Sequence, residues 1–262
     1  MPGAPSSITR TGKHEPFELQ VARGQISWHQ SIAVFGYNSD VDTSVETVWP
    51  YGGLLGFPAA ALQLSVSSDN AADTSAGTGA RTVYLEGLDA NYNVISEVVT
   101  LNGQTAVTTT RSYLHINNCY VLTAGSGNSA AGTIYFGTGV VTAGVPATVY
   151  DVIQFDYNAR VTGSYTVPAG YTAYVSQGLF SSGQVSGSNA VTGRLMTRGT
   201  NNIRLTAAVV TVNNGVADYA FEYPLRVPEK TTIEAQAVGA AANNACSSLF
   251  ILLLVKNDAG AP

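Results

Sequence analysis

The sequence predicts an all-β protein: two tandem antiparallel β-sandwich or jelly-roll domains behind an extended N-terminal arm. Three observations carry this. Charged residues are 11% of the 262, against about 25% in an ordinary soluble domain. Gly, Ser, Thr, Asn and Ala take their place, a mixture lacking the Glu, Lys, Arg and Leu at helical spacing that long helices need. Short runs of β-branched and aromatic residues with period-two alternation read as half-buried strands. Turn formers separate these runs every 8 to 12 residues or so, the spacing of sandwiches and jelly rolls. The 14 tyrosines and many Val and Thr also argue against disorder, which is poor in such residues.

Residues 1–30 read as the arm. They hold Arg10, Lys13 and Arg23 against Glu15 and Glu18, whereas the remainder carries nine basic and fifteen acidic side chains. Pro2, Pro5, Pro16, Gly3, Gly12 and Gly24 interrupt any helical period, so the segment is expected to be extended and loose until something pairs with it. The first domain is expected over 31–147. In Arg81–Gly87, Val83 and Leu85 alternate with Thr82, Tyr84 and Glu86, the pattern of a strand with one buried face. Asp89–Asn93 supplies an Asx turn, and Val94–Leu101 returns. Asn102-Gly103 is the dipeptide that best suits a type I′ hairpin, so Gln104–Thr110 is expected to leave as a third antiparallel strand. Gly137–Pro146 is the expected domain boundary, and the second domain occupies 148–262. Its last run, Leu249–Val255, is apolar on both faces and is expected to lie deep in a sheet.

Several function classes are excluded at this level. Net charge is −5 and the pI is near 5.1, so there is no basic footprint for nucleic acid. The longest apolar run falls far short of the roughly 20 residues that a membrane helix needs, and the first residues lack the apolar core of a signal peptide. No membrane or nucleic-acid partner is expected. Cys119 and Cys246 belong to no CxxC or Cys/His cluster and are expected to be buried free thiols.

Candidate chemistry is sparse. His14 and His29 lie in the arm, and His115 alternates with Leu114 and Ile116, which points its ring to solvent or a neighbouring subunit. No G-x-S-x-G occurs. Gly125–Ala130 fits the relaxed G-x-G-x-x-A spacing, but Thr133-Ile-Tyr-Phe follows where a phosphate site needs a helix N-terminus. Asp89, Asn91 and Asn93 begin like a calcium loop, yet Val94 stands where the loop requires Gly and Thr100 where it requires Glu. Asp69, Asn70 and Asp73 form a second oxygen-rich loop without metal spacing. Glu86 and Glu97 sit on neighbouring strands as a conceivable carboxylate pair, with solvated strand positions as the plainer explanation. No enzymatic activity, catalytic site, cofactor or metal is expected.

A set of phrases nevertheless belongs together. Phe35–Asp42, Thr47–Gly53, Asp73–Arg81, Glu86–Asn91, Val99–Val107 and Gly132–Tyr135, with Tyr165–Ala173 and Pro224–Glu234 in the second half, resemble a family of tailed-bacteriophage virion structural proteins. These are turns and strand starts and bring no catalytic residue. The resemblance implies a cement or head decoration protein: a homotrimer on the outer surface of the head, assembled in the host cytoplasm, whose partners are further copies of itself and the major capsid protein. The arm is then the natural clamp, adding a strand to an exposed sheet edge, with Ile8, Arg10, Lys13, Phe17, Leu19, Val21 and Arg23 as the expected capsid contacts. The alternative is a tail, fibre or baseplate protein that binds a host surface glycan, for which Trp49, Tyr51 and Tyr92 are the first suspects.

Overall fold

In a computed structural model, described over residues 15–184 and 190–257, the chain is all-β apart from one short helix. That helix, α1 (Phe17–Ala22), precedes β1 (His29–Val41) and the short β2 (Glu46–Thr47). Seven strands follow: β3 (Leu62–Ser68), β4 (Ala80–Leu88), β5 (Val94–Thr100), β6 (Val107–Tyr113), β7 (His115–Ala124), β8 (Ile134–Thr142) and β9 (Val145–Ile153). The last seven are β10 (Ser164–Thr166), β11 (Tyr171–Gln184), β12 (Ala190–Arg198), β13 (Arg204–Asn213), β14 (Gly215–Val227), β15 (Thr232–Gly239) and β16 (Asn244–Lys256).

These strands form four antiparallel sheets. The first has the order β1-β16-β11-β14, and the second the order β10-β15-β12-β13 with β2 also on β15. Their inward residues share one hydrophobic cluster, in which Val34, Val175, Phe180, Phe250 and Leu252 meet Val191, Leu195, Ile233 and Ala235. The third sheet, β6-β3-β8-β9, and the fourth, β5-β4-β7, share a second cluster around Leu64, Val66, Phe136, Val83, Leu85 and Val99.

The pairing differs from the expected tandem order. β1 pairs along its length with β16, from His29 opposite Val255 to Val41 opposite Asn244. The first and last strands therefore build the first sheet together, and β3 to β9 are inserted between β2 and β10. The expected boundary falls inside a hairpin instead. Ala143 and Gly144 both have positive φ, 48° and 84°, as a two-residue type I′ turn requires, and Thr142 pairs with Val145 across it. Here Gly is obligatory twice over, because a Cβ on Gly144 would sit 1.9 Å from the Ser68 carbonyl oxygen.

The Asn102-Gly103 hairpin also gives way. Gly103 has a φ of 60° but Asn102 is not left-handed, so the turn is not type I′. Gly103 donates its N–H to the Asp73 carbonyl at 2.7 Å, and the chain crosses from the fourth sheet into the third. β4 and β5 do pair, joined by the expected Asx turn: Asp89 Oδ1 accepts the N–H groups of Asn91 and Asn93 at 2.8 and 2.9 Å.

The two sheet pairs are tied together by a buried ion pair. Arg160 Nε donates to Asp151 Oδ2 of β9 at 2.5 Å, and Arg160 Nη1 reaches the carbonyls of Thr162 and Ser164 at the start of β10. Beside it a third cluster packs Trp49 and Leu55, which follow β2, against Val149 and Val152 of β9.

Candidate functional site

The candidate attachment side chains fall into two groups. Ile8, Arg10 and Lys13 lie outside the described residues. Phe17, Leu19 and Val21 stand on α1, and Arg23 caps it, so this stretch is helical rather than extended. The Pro and Gly read as breakers are the helix boundaries: Pro16 is the N-cap, with φ −55° and ψ 144°, and Gly24 follows the C-cap at φ 66°. Gly24 N–H donates to Val21 O and Gln25 N–H to Gln20 O, both at 2.9 Å, the two bonds of a Schellman motif. Arg23 is further paired with Glu15.

The helix rests on the outer face of the first sheet. β16 has two apolar faces: Phe250, Leu252 and Leu254 enter the core, while Ile251, Leu253 and Val255 look outward and are half-buried. The helix covers part of that outer face. Val21 is buried, and a groove of about 750 Å³ remains between Phe17 and Val21 on one side and Tyr174, Pro224, Ile251 and Leu253 on the other. Phe17 packs edge-on against His29, ring centroids 5.8 Å apart, yet stays 44% exposed, and Leu19 stays 46% exposed. Trp28 is exposed nearby and carries Lys256 Nζ over its ring at 4.5 Å, a cation–π contact.

A second surface was not singled out by sequence reasoning. β13 and β14 are edge strands of their sheets. The edge at β14 is blunted: Phe221 to Pro224 bulge opposite Ser176, and Pro224 has no N–H to offer. β13 has no proline, and its irregularity against β12 is a single extra residue, Ala207, between Thr206 and Ala208. No charged residue occurs between Arg204 and Asp218, and Leu205 and Val209 are 62% and 59% exposed. A long edge without charge or proline is a template for strand addition. The signal was present in Leu205–Asn213, but edge position is a property of sheet order.

The remaining candidates resolve into structural roles. The Asp73 carboxylate is buried and accepts from Ser68 Oγ at 2.6 Å and from the N–H groups of Ala80, Ala131 and Gly132 at 2.6 to 3.0 Å. Among the described residues no cluster of three or more His, Cys, Asp or Glu could hold a metal. Glu97 pairs with Leu85 and Glu86 with Ser96, so the two carboxylates point to opposite faces of the sheet. Glu97 binds the N–H groups of Thr110 and Arg111 and the hydroxyl of Tyr113. Burial would raise its pKa, but these bonds prevail and hold it below the ordinary carboxylate value. Gly125–Ala130 leads into β8, a strand. Both cysteines are free and buried.

His115 is buried rather than directed to solvent. Its ring lies between Phe57 and Tyr92, at 4.6 and 5.4 Å, and its Nδ1 is 3.2 Å from Thr166 Oγ1. Burial, with Arg198 nearby, pushes its pKa down to about 4. Trp49 is buried with Nε1 bonded to the Gly53 carbonyl, Tyr51 is exposed beside it, and Tyr92 stands apart from both at a cleft between the sheet pairs. Among the described residues no helix is long and apolar enough to cross a membrane.

No protein-family model matches the chain, and no curated protein does. Among solved structures, the infectious bursal disease virus VP2 subviral particle aligns at 9% identity, covering 87% of this chain and 72% of that one, with a TM-score of 0.24. The PBSX exported protein XepA aligns at 10% identity over 85% of this chain and 84% of that one, with a TM-score of 0.20. Superpositions this loose carry no argument about fold or function.

Proposed function

We propose that the chain is a non-enzymatic structural protein of a tailed-phage particle, a decoration protein on the outer head surface that self-associates as a trimer and is fastened to the major capsid protein through its N-terminal arm. The observation that carries this reading is the seat of α1. The helix is anchored from below by Val21 and its Schellman motif, and it leaves Phe17, at the rim of the groove, and Leu19, on another side of the helix, exposed. Exposed apolar side chains on a braced element, beside an apolar groove, suit docking better than catalysis. The resemblance of the turn motifs and the low charge of the chain, which limits the desolvation cost of packing copies together, support the same reading.

The test uses heads assembled without the protein. Wild-type protein is expected to bind them and restore resistance to heat and chelator, since binding stabilises the bound state by mass action. Phe17→Asp with Leu19→Asp, both at exposed positions, is expected to keep the circular dichroism and oligomeric mass but lose head binding. Wild-type binding by that variant would remove the arm from the mechanism.

One observation favours the second reading, a tail, fibre or baseplate protein that binds a host glycan. Tyr92 opens onto a cleft beside Arg198, Arg204 and Lys230. Depletion separates the two readings: lost adsorption with unchanged head stability assigns the receptor role, and fragile heads with normal adsorption assign the capsid role.

A further inference from the structure

The cleft at Tyr92 has a charge that runs against the rest of the chain. Its volume is about 600 Å³, Arg198, Arg204 and Lys230 line it, and among the described residues no Asp or Glu does. The whole chain, by contrast, carries a net charge of −5.

The two arginines are placed there by strand register. Arg198 ends β12 and stands directly opposite Arg204, which begins β13. Like charges facing each other across an antiparallel pair are destabilising. The carboxylate facing Arg204, Glu234 of β15, is fully buried and does not line the cleft. One of its oxygens accepts from Thr47 Oγ1 and Gln236 Nε2 at 2.6 and 3.0 Å, and the other stays 3.8 Å from Arg204 Nε.

Arg198 itself is only 8% exposed. Its guanidinium lies over the Phe57 ring, 4.1 Å from the centroid, and Nη1 donates to Asn202 Oδ1 at 3.3 Å. Nη2 is buried with no hydrogen-bond partner among the described residues. Arg204 Nε lacks one as well, but it faces Glu234 Oε2, equally without a hydrogen bond, at 3.8 Å. A buried cationic N–H without an acceptor is costly, and native proteins rarely leave one so. Burial pulls the Arg198 pKa below the ordinary arginine value, with Glu234 acting in the opposite sense.

We propose that this cleft binds an oxyanion, a carboxylate or phosphate group carried by a sugar or another polar small molecule, held by Arg198, Arg204 and Lys230 beside the Tyr92 ring. The anion would lie against two facing guanidinium groups, offset their mutual repulsion and give the orphaned Arg198 Nη2 an acceptor. The Phe57 stack and the Asn202 bond fix Arg198 before any ligand arrives, so little side-chain freedom is lost on binding. Lys230 approaches from a left-handed turn, φ 59°, its backbone held by the Val167 carbonyl at 2.8 Å. The inference is independent of the capsid reading, and its failure would leave that reading untouched.

The test titrates the full-length protein with inorganic phosphate, with glucuronate and with glucose, followed by calorimetry and by chemical shifts. Saturable binding of phosphate, glucuronate or both is expected, with none for glucose. Equal affinity for the two anions means that the charged group alone is recognised. Tighter glucuronate binding, reduced to the phosphate level by Tyr92→Ala, means that the sugar ring is read as well. Arg204→Gln and Lys230→Gln are each expected to weaken binding by about tenfold, the loss of one hydrogen bond to a charged group. Arg198→Gln should abolish it, with thermal unfolding reporting separately on whether the buried site still folds. No saturable binding of either anion would overturn the proposal, as would unchanged affinity in a natively folded Arg204→Gln, Lys230→Gln double variant.

Discussion

Asp73 shows what a scarce carboxylate does in this chain. Both of its oxygens are turned on the protein itself, gathering Ser68, Ala80, Ala131 and Gly132 into one knot between the sheets. The sequence suggested an oxygen-rich loop; that its acceptors face inward depends on the crossing of the chain at Gly103. His115 is the residue whose surroundings make a pH prediction. Its pKa is about 4 in the fold and about 6.5 in the unfolded chain. Between those values the unfolded state binds a proton that the folded state refuses, so stability is lost as pH falls from about 6.5 towards 4. The full effect is on the order of 3 kcal/mol. His115→Asn should be less stable than wild type at pH 7 and should lose this part of the pH dependence, read as the change in urea midpoint between pH 7 and 4.5. Equal pH slopes in the two proteins would refute the assignment. Alternation with Leu114 and Ile116 could not reveal this burial, because Phe57, a distant residue in sequence, supplies one wall of the pocket.

At the scale of elements, the contrast between β13 and β14 is the informative one. β14 is protected at its edge by Pro224 and a bulge, whereas β13 beyond Arg204 is uncharged, with Leu205 and Val209 exposed. Under the proposed self-association a second copy of the chain would occupy this edge, where the stretch offers no charged residue to repel it. A trimer of the proposed kind, closed by β13 of each copy on a different strand of the next, should show three times the 27.2 kDa chain mass in light scattering. Leu205→Lys with Val209→Lys should reduce it to the monomer without changing the circular dichroism. A monomeric wild type, or an unchanged mass in the variant, would discard this edge. The helix α1 carries the opposite lesson about reading: its Pro and Gly were visible, but as punctuation they mark either a broken segment or the two ends of a short helix. Contact with the outer face of β16 decides between these, because a helix of one and a half turns has little stability of its own.

For the whole molecule, the decisive feature is that the chain leaves the first sheet pair after β2 and returns to it at β10. The two sheet pairs are thus joined by two chain crossings, by the Arg160–Asp151 ion pair and by the cluster around Trp49. Breaking a buried pair by removing one partner typically costs about 3 to 5 kcal/mol, so separation of the sheet pairs should be unfavourable short of global unfolding. The cysteines report on this. Cys119 lies in one core and Cys246 in the other. Burial raises both thiols, Cys246 to about 12 and Cys119 well above its ordinary value, so neither should react with a thiol reagent in the native protein. In a urea series the two should become reactive at one common midpoint. Two separate midpoints would mean that the sheet pairs unfold independently.

By itself the sequence determined the all-β class, the strand and turn character of most segments, the Asx turn at Asp89 and the free state of both cysteines. Each of these depends on neighbours within a few residues, or on composition, and period-two alternation and turn chemistry are local properties. Only the tertiary structure decided that β1 joins β16, that Asn102-Gly103 is a crossing rather than a hairpin, and that Gly137–Pro146 contains a turn rather than a boundary. It alone brought Arg198, Arg204, Lys230 and Tyr92 to one cleft from positions spread over more than half of the chain. Sheet partnership is set by which apolar faces bury each other, a sum over distant residues. No window along the chain contains that sum, and the surfaces left uncovered by it are where the candidate functions lie.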